Sequence, residues 1–147
     1  MNNKIKDAHA LVTQAAFLFN AEQEMLLLQL PDHRWQLPGG KLRCGECWQD
    51  GLRREILEET GLDDVKIVRV LYADNWFTQT HDYYRTYFLC TTISNTVQLS
   101  RDHIAYRWIK PSDDLSWCTF THQTVRQHIL GLFATMKKKQ LKKRPQD

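Results

Sequence analysis

The sequence of 147 residues has no long apolar run. None of its apolar stretches approaches the roughly 20 residues that a membrane-spanning helix needs. The apolar segment near the N-terminus is interrupted by His9, Thr13 and Gln14. It therefore does not resemble the hydrophobic region of a secretory signal. These absences argue against a membrane protein and make the cytoplasm the expected location.

Cysteine is also scarce, with four residues at positions 44, 47, 90 and 118. Without a secretory signal, a disulfide framework is not expected. Cys44 and Cys47 form a Cys-x-x-Cys motif, which could be half of a zinc site or a redox pair. Zinc would need two more ligands, and the other two cysteines stand far apart in the sequence. The favoured interpretation is two thiols in a surface loop.

Internal repeats, low-complexity stretches and Pro/Gly/Ser-rich linkers are absent before the C-terminal tail. With 42% apolar and 25% charged residues, the composition is typical of a globular chain. We expect one domain over residues 1–136 and a basic tail over residues 137–147. The tail has six basic residues and one acid, so the net charge of +3 leaves −2 for the domain. A nucleic-acid partner is thus possible but not favoured, because a binding domain carries its positive charge on the folded surface.

The apolar pattern predicts strands and helices in an order typical of a mixed α/β protein with a sheet between helices. Gly61 follows the first helix and provides a C-terminal stop, since glycine readily takes the left-handed conformation that ends many helices. The predicted strands are Ala10–Asn20, Glu24–Leu30, Val65–Tyr72, Tyr83–Thr92 and Ala105–Ile109, and the predicted helices are Trp48–Thr60 and Thr121–Lys139.

Three carboxylates share one face of the first predicted helix. Glu55, Glu58 and Glu59 stand at positions i, i+3 and i+4, where like charges repel by about a few tenths of a kcal/mol per pair. A hard divalent cation would offset this repulsion, because Mg²⁺ prefers oxygen ligands. Arg54 can orient or partly neutralise a carboxylate with its planar guanidinium. For an isolated motif of this kind, an exposed and solvated acidic face is the alternative.

The surrounding residues carry a longer pattern. Gly40 is followed after five residues by Glu46, and after seven more by Arg54-Glu55-Ile56-Leu57-Glu58-Glu59-Thr60-Gly61-Leu62. This stretch resembles the Nudix box, Gly-x5-Glu-x7-Arg-Glu-U-x-Glu-Glu-x-Gly-U with U a bulky aliphatic residue, at every specified position. The preceding Trp35-x-Leu-Pro-Gly-Gly is similar to the usual lead-in of that family. The resemblance implies the Nudix fold, an α/β/α sandwich around a mixed sheet.

The resemblance also implies a hydrolase that uses Mg²⁺ or Mn²⁺ to cut a phosphoanhydride bond in a substrate containing a nucleoside diphosphate. The three helix carboxylates match the metal-ligating residues of the family. The backbone carbonyl of Gly40 matches a further ligand. Arg54 and Glu46 match a pair that braces the loop and helix, with Glu46 behind the direct ligands. The catalytic residues implied in this way are Arg54, Glu55, Glu58 and Glu59.

The general base is open between two positions, since family members differ. Some use the first glutamate of the helix, here Glu55, and others an acidic residue on a later loop. The corresponding loop, Leu99–His103, has Asp102 as its only carboxylate. We therefore predict Glu55 as the base and Asp102 as an accessory metal ligand.

The substrate is less specified than the reaction. Trp76, Phe77 and Tyr83 are candidates to stack on a nucleobase, and His33 to touch the substrate from a loop; the alternative is that the aromatic residues pack the sheet. The proline typical of ADP-ribose enzymes is missing, and markers of the NADH and coenzyme A subgroups are absent. The favoured small-nucleotide substrate is a nucleoside triphosphate. An RNA 5′-end pyrophosphohydrolase and a catalytically silent nucleotide-binding module of the same fold are the alternatives.

Overall fold

A computed structural model describes residues 6–142 of the chain. The first half forms four strands and a helix, and the second half forms three strands and a helix. The strands are β1 (Ala10–Phe19), β2 (Met25–Gln29), β3 (Trp35–Gln36), β4 (Gly39–Lys41), β5 (Lys66–Phe77), β6 (Asp82–Thr91) and β7 (Ala105–Ile109), and the helices are α1 (Trp48–Thr60) and α2 (Gln123–Lys142).

Strand β1 lies at the centre of the sheet. It runs antiparallel to β2 and β4 and parallel to β6, with ten residue pairs from Ala10 opposite Asp82 to Phe19 opposite Thr91. Strand β5 pairs antiparallel with β6, while β3 and β7 pair antiparallel with β2. The sheet is therefore mixed, as predicted.

The alternation of side chains along β1 builds two cores, because successive residues of a strand point to opposite faces. Ala15, Phe17 and Phe19 lie in one core and Ala16 and Leu18 in the other. Helix α2 covers the first face with Val125, Ile129, Leu132 and Phe133, and helix α1 covers the second with Leu52 and Ile56. The predicted α/β/α sandwich is confirmed. Neither helix in residues 6–142 combines the length and apolar character needed to cross a bilayer.

Several predicted boundaries of strands and helices differ from those in the structure. Strand β5 was predicted to end at Tyr72 but continues to Phe77, so the candidate aromatic residues lie in a β-hairpin and not at the edge of a loop. The short strands β3 and β4 were not predicted. Helix α2 begins two residues later than predicted and continues to Lys142, so helical structure extends into the basic tail. Residues 143–147 of that tail lie outside the described residues.

Candidate active site

Arg54 links the loop before α1 to the carboxylates on the helix. Its Nε and Nη2 donate to the two carboxylate oxygens of Glu46, at 2.6 and 3.0 Å. Its Nη1 donates to Glu55 at 2.9 Å and to Glu58 at 3.3 Å, and its Nη2 also donates to the carbonyl of Lys41 at 3.2 Å. One guanidinium therefore ties β4, the loop and α1 together, and its charge offsets part of the repulsion between the glutamates.

The pair of Arg54 and Glu46 stays ionised over a wide pH range. The hydrogen bonds from Arg54, assisted by the backbone N–H of Arg43, lower the pKa of Glu46 to about 2. The same contact, with Glu55 as a second acceptor, raises the pKa of Arg54 above its usual value. Glu46 thus acts on the helix through Arg54.

Glu59 is the most deeply placed of the three helix carboxylates. Its side chain is 13% exposed, compared with 50% for Glu58, and its Oε2 accepts the backbone N–H of Gly39 at 2.9 Å. Burial raises the pKa of Glu59 to about 8, against the effect of the Gly39 N–H and with the help of the charges of Glu55 and Asp102. A carboxylate in such surroundings is stabilised as an anion when a cation binds beside it.

The backbone of Gly40 lies close to the carboxylate of Glu55. A Cβ atom added at this position would lie 2.5 Å from Oε2 of Glu55, so a side chain here would displace that carboxylate from its observed position. Within the described part of the chain, no three His, Cys, Asp or Glu side chains lie close enough together to hold a metal ion by themselves. Mg²⁺ keeps several waters and is bound through one or two carboxylates together with substrate phosphates. The oxygen-rich donor set and the cradle at Gly40 therefore fit an open site for a hard cation.

The loop before β7 contributes a buried histidine beside Glu59. Nε2 of His103 lies 3.8 Å from Oε1 of Glu59 and 2.9 Å from Nε2 of Gln36, and its Nδ1 lies 3.1 Å from Oγ of Ser100. Burial lowers the pKa of His103. The neighbouring Asp102 is exposed, and it is close enough for its charge to act on Glu59. The sequence places this histidine in a loop near the expected site, but only the fold reveals its contact with α1.

A cleft of about 380 Å³ opens on the α2 side of β4, and both Gly39 and Gly40 belong to its wall. Trp76 and Tyr83 stack there with ring centroids 4.9 Å apart and planes 3° from parallel. The guanidinium of Arg85 lies 4.6 Å from the centre of the Trp76 ring. Arg85 and Lys41 line the cleft, and within residues 6–142 no carboxylate does. The cleft therefore combines aromatic and cationic side chains.

The candidate substrate residues separate into two groups. Trp76 and Tyr83 line the cleft, whereas Phe77 is 71% exposed and lies outside it. His33 is exposed in the turn between β2 and β3, with a positive φ of 67°, and does not line the cleft either. Arg85 does line it but was not singled out from the sequence, because a lone arginine in a strand carries no local signal.

Both thiols of the Cys-x-x-Cys motif are free and exposed in the loop before α1. Sγ of Cys47 donates to Oε1 of Gln49 at 2.7 Å, within the same surface segment. Cys90 and Cys118 are buried elsewhere. The position in a surface loop agrees with the interpretation made from the sequence.

We expect the double substitution Cys44→Ser with Cys47→Ser to leave metal-dependent hydrolysis within about twofold of the parent, as is usual for exposed positions. Steady-state kinetics on both proteins checks this, with thermal melting as the control for folding. A large loss of turnover, or one zinc ion per chain in elemental analysis of the parent, would show that the motif has a role of its own.

Comparison with known proteins places this geometry in a family. The model of the NUDIX domain matches residues 10–125. A nucleoside triphosphatase named NudI, from Escherichia coli O139:H28, is 31% identical over an alignment of 104 residues. The match covers 60% of this chain and 74% of that enzyme. The crystal structure of a MutT protein from Methanosarcina mazei Go1 aligns with a TM-score of 0.73 at 23% identity, over 91% of this chain and 99% of that one. A C. elegans Ap4A hydrolase aligns with a TM-score of 0.71 at 19% identity, over 88% of this chain and 99% of that one.

The matched range begins at the first residue of β1 and ends in α2, so it includes the carboxylate face of α1 and the cleft. The two solved structures share the fold. The match over most of the chain, with the complete Gly40-to-Leu62 pattern inside it, shows that this chain belongs to the Nudix family as a hydrolase of diphosphate linkages.

Proposed function

We propose that the protein hydrolyses a nucleoside triphosphate to a nucleoside monophosphate and pyrophosphate, with Mg²⁺ or Mn²⁺ held by the carboxylate face of α1. One observation carries the proposal: the cationic, aromatic cleft and the carboxylates approach the same two glycines, Gly39 and Gly40. A nucleotide in the cleft would extend its phosphates across these glycines. The name of the similar E. coli enzyme, a nucleoside triphosphatase, supports this substrate class.

Two sets of residues in the cleft suit the two parts of a nucleotide, its base and its phosphates. The paired rings of Trp76 and Tyr83 offer an apolar wall for the nucleoside. Lys41 and Arg85 place positive charge along the path of the phosphates. Arg85 is held in position because its Nε donates to Oγ1 of Thr13 at 3.1 Å. Charge-assisted contacts of this kind orient a phosphate and increase its affinity for the site.

The helix carboxylates would hold the cation, with Glu59 as the most enclosed ligand and Glu58 toward solvent. Asp102 would be an accessory ligand from the loop before β7. The bound cation would lower the pKa of water and screen the phosphate charge. The protein's own contribution is then mainly to position these groups, because phosphoryl transfer asks little covalent chemistry of the enzyme.

Glu55 is suited to accept the proton of the attacking water. Arg54 donates to its Oε1 at 2.9 Å, and its Oε2 faces the backbone at Gly40. The water oxygen forms a bond to phosphorus while the bond from phosphorus to the bridging oxygen breaks. The proton passes to the carboxylate, and pyrophosphate leaves. Glu46 holds Arg54 and so keeps Glu55 oriented.

A substrate screen tests this function. We expect the purified protein with Mg²⁺ to convert nucleoside triphosphates to monophosphates and pyrophosphate faster than it cleaves ADP-ribose, dinucleoside polyphosphates or NADH. Chromatography of the products identifies the bond that is cut. Excess chelator should abolish turnover, because the donor set is made of oxygens. Full activity in chelator would contradict the metal proposal, and nucleotide binding without turnover of any substrate would indicate a silent module.

A further inference from the structure

The two ring nitrogens of His103 have partners with different hydrogen-bonding abilities. Nδ1 lies 3.1 Å from Oγ of Ser100, and a hydroxyl can either donate or accept. Nε2 lies 2.9 Å from Nε2 of Gln36, and an amide nitrogen can only donate. Nε2 of the ring is therefore the acceptor in this contact and carries no proton. The proton of the ring is then on Nδ1, which donates to Ser100.

The loop that carries His103 is attached to the backbone of Glu59. The N–H of Ser100 donates to the carbonyl of Glu59 at 3.1 Å, and the N–H of His103 donates to the carbonyl of Ser100 at 3.3 Å. The side chain of His103 is only 2% exposed. These contacts keep the ring beside the carboxylate of Glu59.

The two carboxylate oxygens of Glu59 differ in their partners. Oε2 accepts the N–H of Gly39 at 2.9 Å. Oε1 lies 3.8 Å from Nε2 of His103, beyond hydrogen-bond distance, and no group of residues 6–142 donates to it. Oε1 is nevertheless not one of the fully enclosed unpartnered oxygens in this part of the chain, so it reaches solvent. It is therefore the oxygen of Glu59 that a cation can approach.

The position of the ring proton decides whether His103 competes for this oxygen. A proton on Nε2 would place a donor 3.8 Å from Oε1, and a small movement would form a charge-assisted hydrogen bond. That bond would withdraw charge from Oε1 and compete with a cation. Ser100 allows this tautomer, since its hydroxyl could donate to Nδ1 instead. Of the two described residues that hydrogen-bond the ring, only Gln36 distinguishes the tautomers.

We propose that Gln36 is a positioning residue for metal binding, which holds His103 with its proton on Nδ1 and so keeps Oε1 of Glu59 free for the cation. The inference rests on the proposed function, because it takes Glu59 as a metal ligand. Gln36 also lies in the wall of the nucleotide cleft, so its amide joins the cleft to the metal site. Replacing residues behind metal ligands commonly changes metal affinity or activity by about 10- to 100-fold.

Nuclear magnetic resonance tests the tautomer without any turnover. Long-range ¹H–¹⁵N correlation spectra of the ¹⁵N-labelled protein distinguish the two neutral tautomers, because the ring protons couple differently to a protonated and an unprotonated nitrogen. The signals of His103 are identified by their absence from the spectrum of His103→Leu. We expect the parent protein to show His103 with its proton on Nδ1, and Gln36→Leu to show a population with the proton on Nε2.

Gln36→Leu should also weaken Mg²⁺ binding by about 10-fold. Leucine is similar in size to glutamine and cannot donate. The Kd for Mg²⁺ is obtained without nucleotide, from the rise of Tm during a Mg²⁺ titration, so a lost substrate contact does not affect the result. Gln29→Leu is the matched control, because the amide of Gln29 donates to the carbonyl of His33 at 3.1 Å and not to His103. Its Kd should stay within about twofold of the parent.

A double-mutant cycle tests whether Gln36 acts through the ring. If it does, adding Gln36→Leu to His103→Leu should change the Kd for Mg²⁺ by less than about twofold. Equal weakening in both backgrounds would overturn the inference. A proton on Nε2 of His103 in the parent, or an unchanged Kd in folded Gln36→Leu, would do so too and leave the proposed function standing. A parent that shows neither stabilisation by Mg²⁺ nor turnover would overturn both. If Gln36→Leu does not melt cooperatively, the spectrum of the parent decides.

Discussion

Glu59→Gln is expected to lower turnover by about 10²- to 10³-fold without loss of the fold, since a charge placed for the transition state is worth this much in other enzymes. The amide oxygen can still accept the N–H of Gly39 that Glu59 accepts at 2.9 Å. Burial raises the pKa of the native carboxyl to about 8, and a neutral amide avoids this cost of ionising in a buried place. Without metal, the variant should therefore melt at the same temperature as the parent or higher.

Melting with and without Mg²⁺ separates a metal ligand from a surface charge. Added Mg²⁺ should stabilise the parent more than Glu59→Gln, because stabilisation by a ligand follows its affinity. Glu55→Gln should also lose most of its turnover but retain more of the Mg²⁺-induced stabilisation, if its main contact is with the attacking water. Near-normal turnover in both variants, with unchanged Mg²⁺ effects, would indicate a solvated acidic face.

Gly40→Ala is the second substitution for which we expect a large loss, about 10²-fold in kcat, as for other displacements of about 1 Å in an active site. The added Cβ would lie 2.5 Å from Oε2 of Glu55, so the carboxylate must move. Moving it strains the contact between Glu55 and Arg54, which is 2.9 Å long. Steady-state kinetics at saturating substrate measures the effect on kcat directly.

Gly131→Ala is the matched control for this substitution. Gly131 lies exposed in α2, and an added Cβ there meets no atom within 4 Å. Alanine in a helix is more favourable than glycine by about 1 kcal/mol, so this variant should melt slightly higher and turn over normally. Normal turnover in Gly40→Ala would mean that the position of Glu55 is not needed for the reaction.

The local sequence was sufficient to predict the bounds of the helix that carries the carboxylates. The predicted and observed bounds of α1 agree at Trp48 and Thr60. Its end is fixed by Gly61, which has a φ of 72° and donates its N–H to the carbonyl of Leu57. The C-terminal end of strand β5 was harder to predict, because Asp74 and Asn75 have low strand propensity. Pairing with β6 extends the strand through these two residues to Phe77, and no local sequence pattern indicates that pairing.

Sequence reasoning could group candidate site residues only where they are close in the sequence, as in the stretch from Gly40 to Leu62. The hydrogen bond from Gly39 to Glu59 joins positions 20 residues apart, and the cleft needs β5, β6 and α2 together. Trp76 and Phe77 were both candidates because this segment is rich in aromatic residues that could stack on a nucleobase. Successive residues of a strand face opposite sides, so Trp76 lines the cleft and Phe77 does not. Arg85 became a candidate only through its place in the wall of the cleft.

The parallel pairing of β1 with β6 has a consequence for the growing chain on the ribosome. Ala10 pairs with Asp82, and the last pair joins Phe19 to Thr91. Both faces of β1 are apolar, and residues of β6 contribute to the core on each face. The face that α2 covers stays incomplete until α2 has been synthesised as well. Contacts between such distant positions also slow folding, because the intervening loop must be closed before they form. The central strand of the sheet is thus synthesised well before β6 and is fully paired only after β6 has emerged.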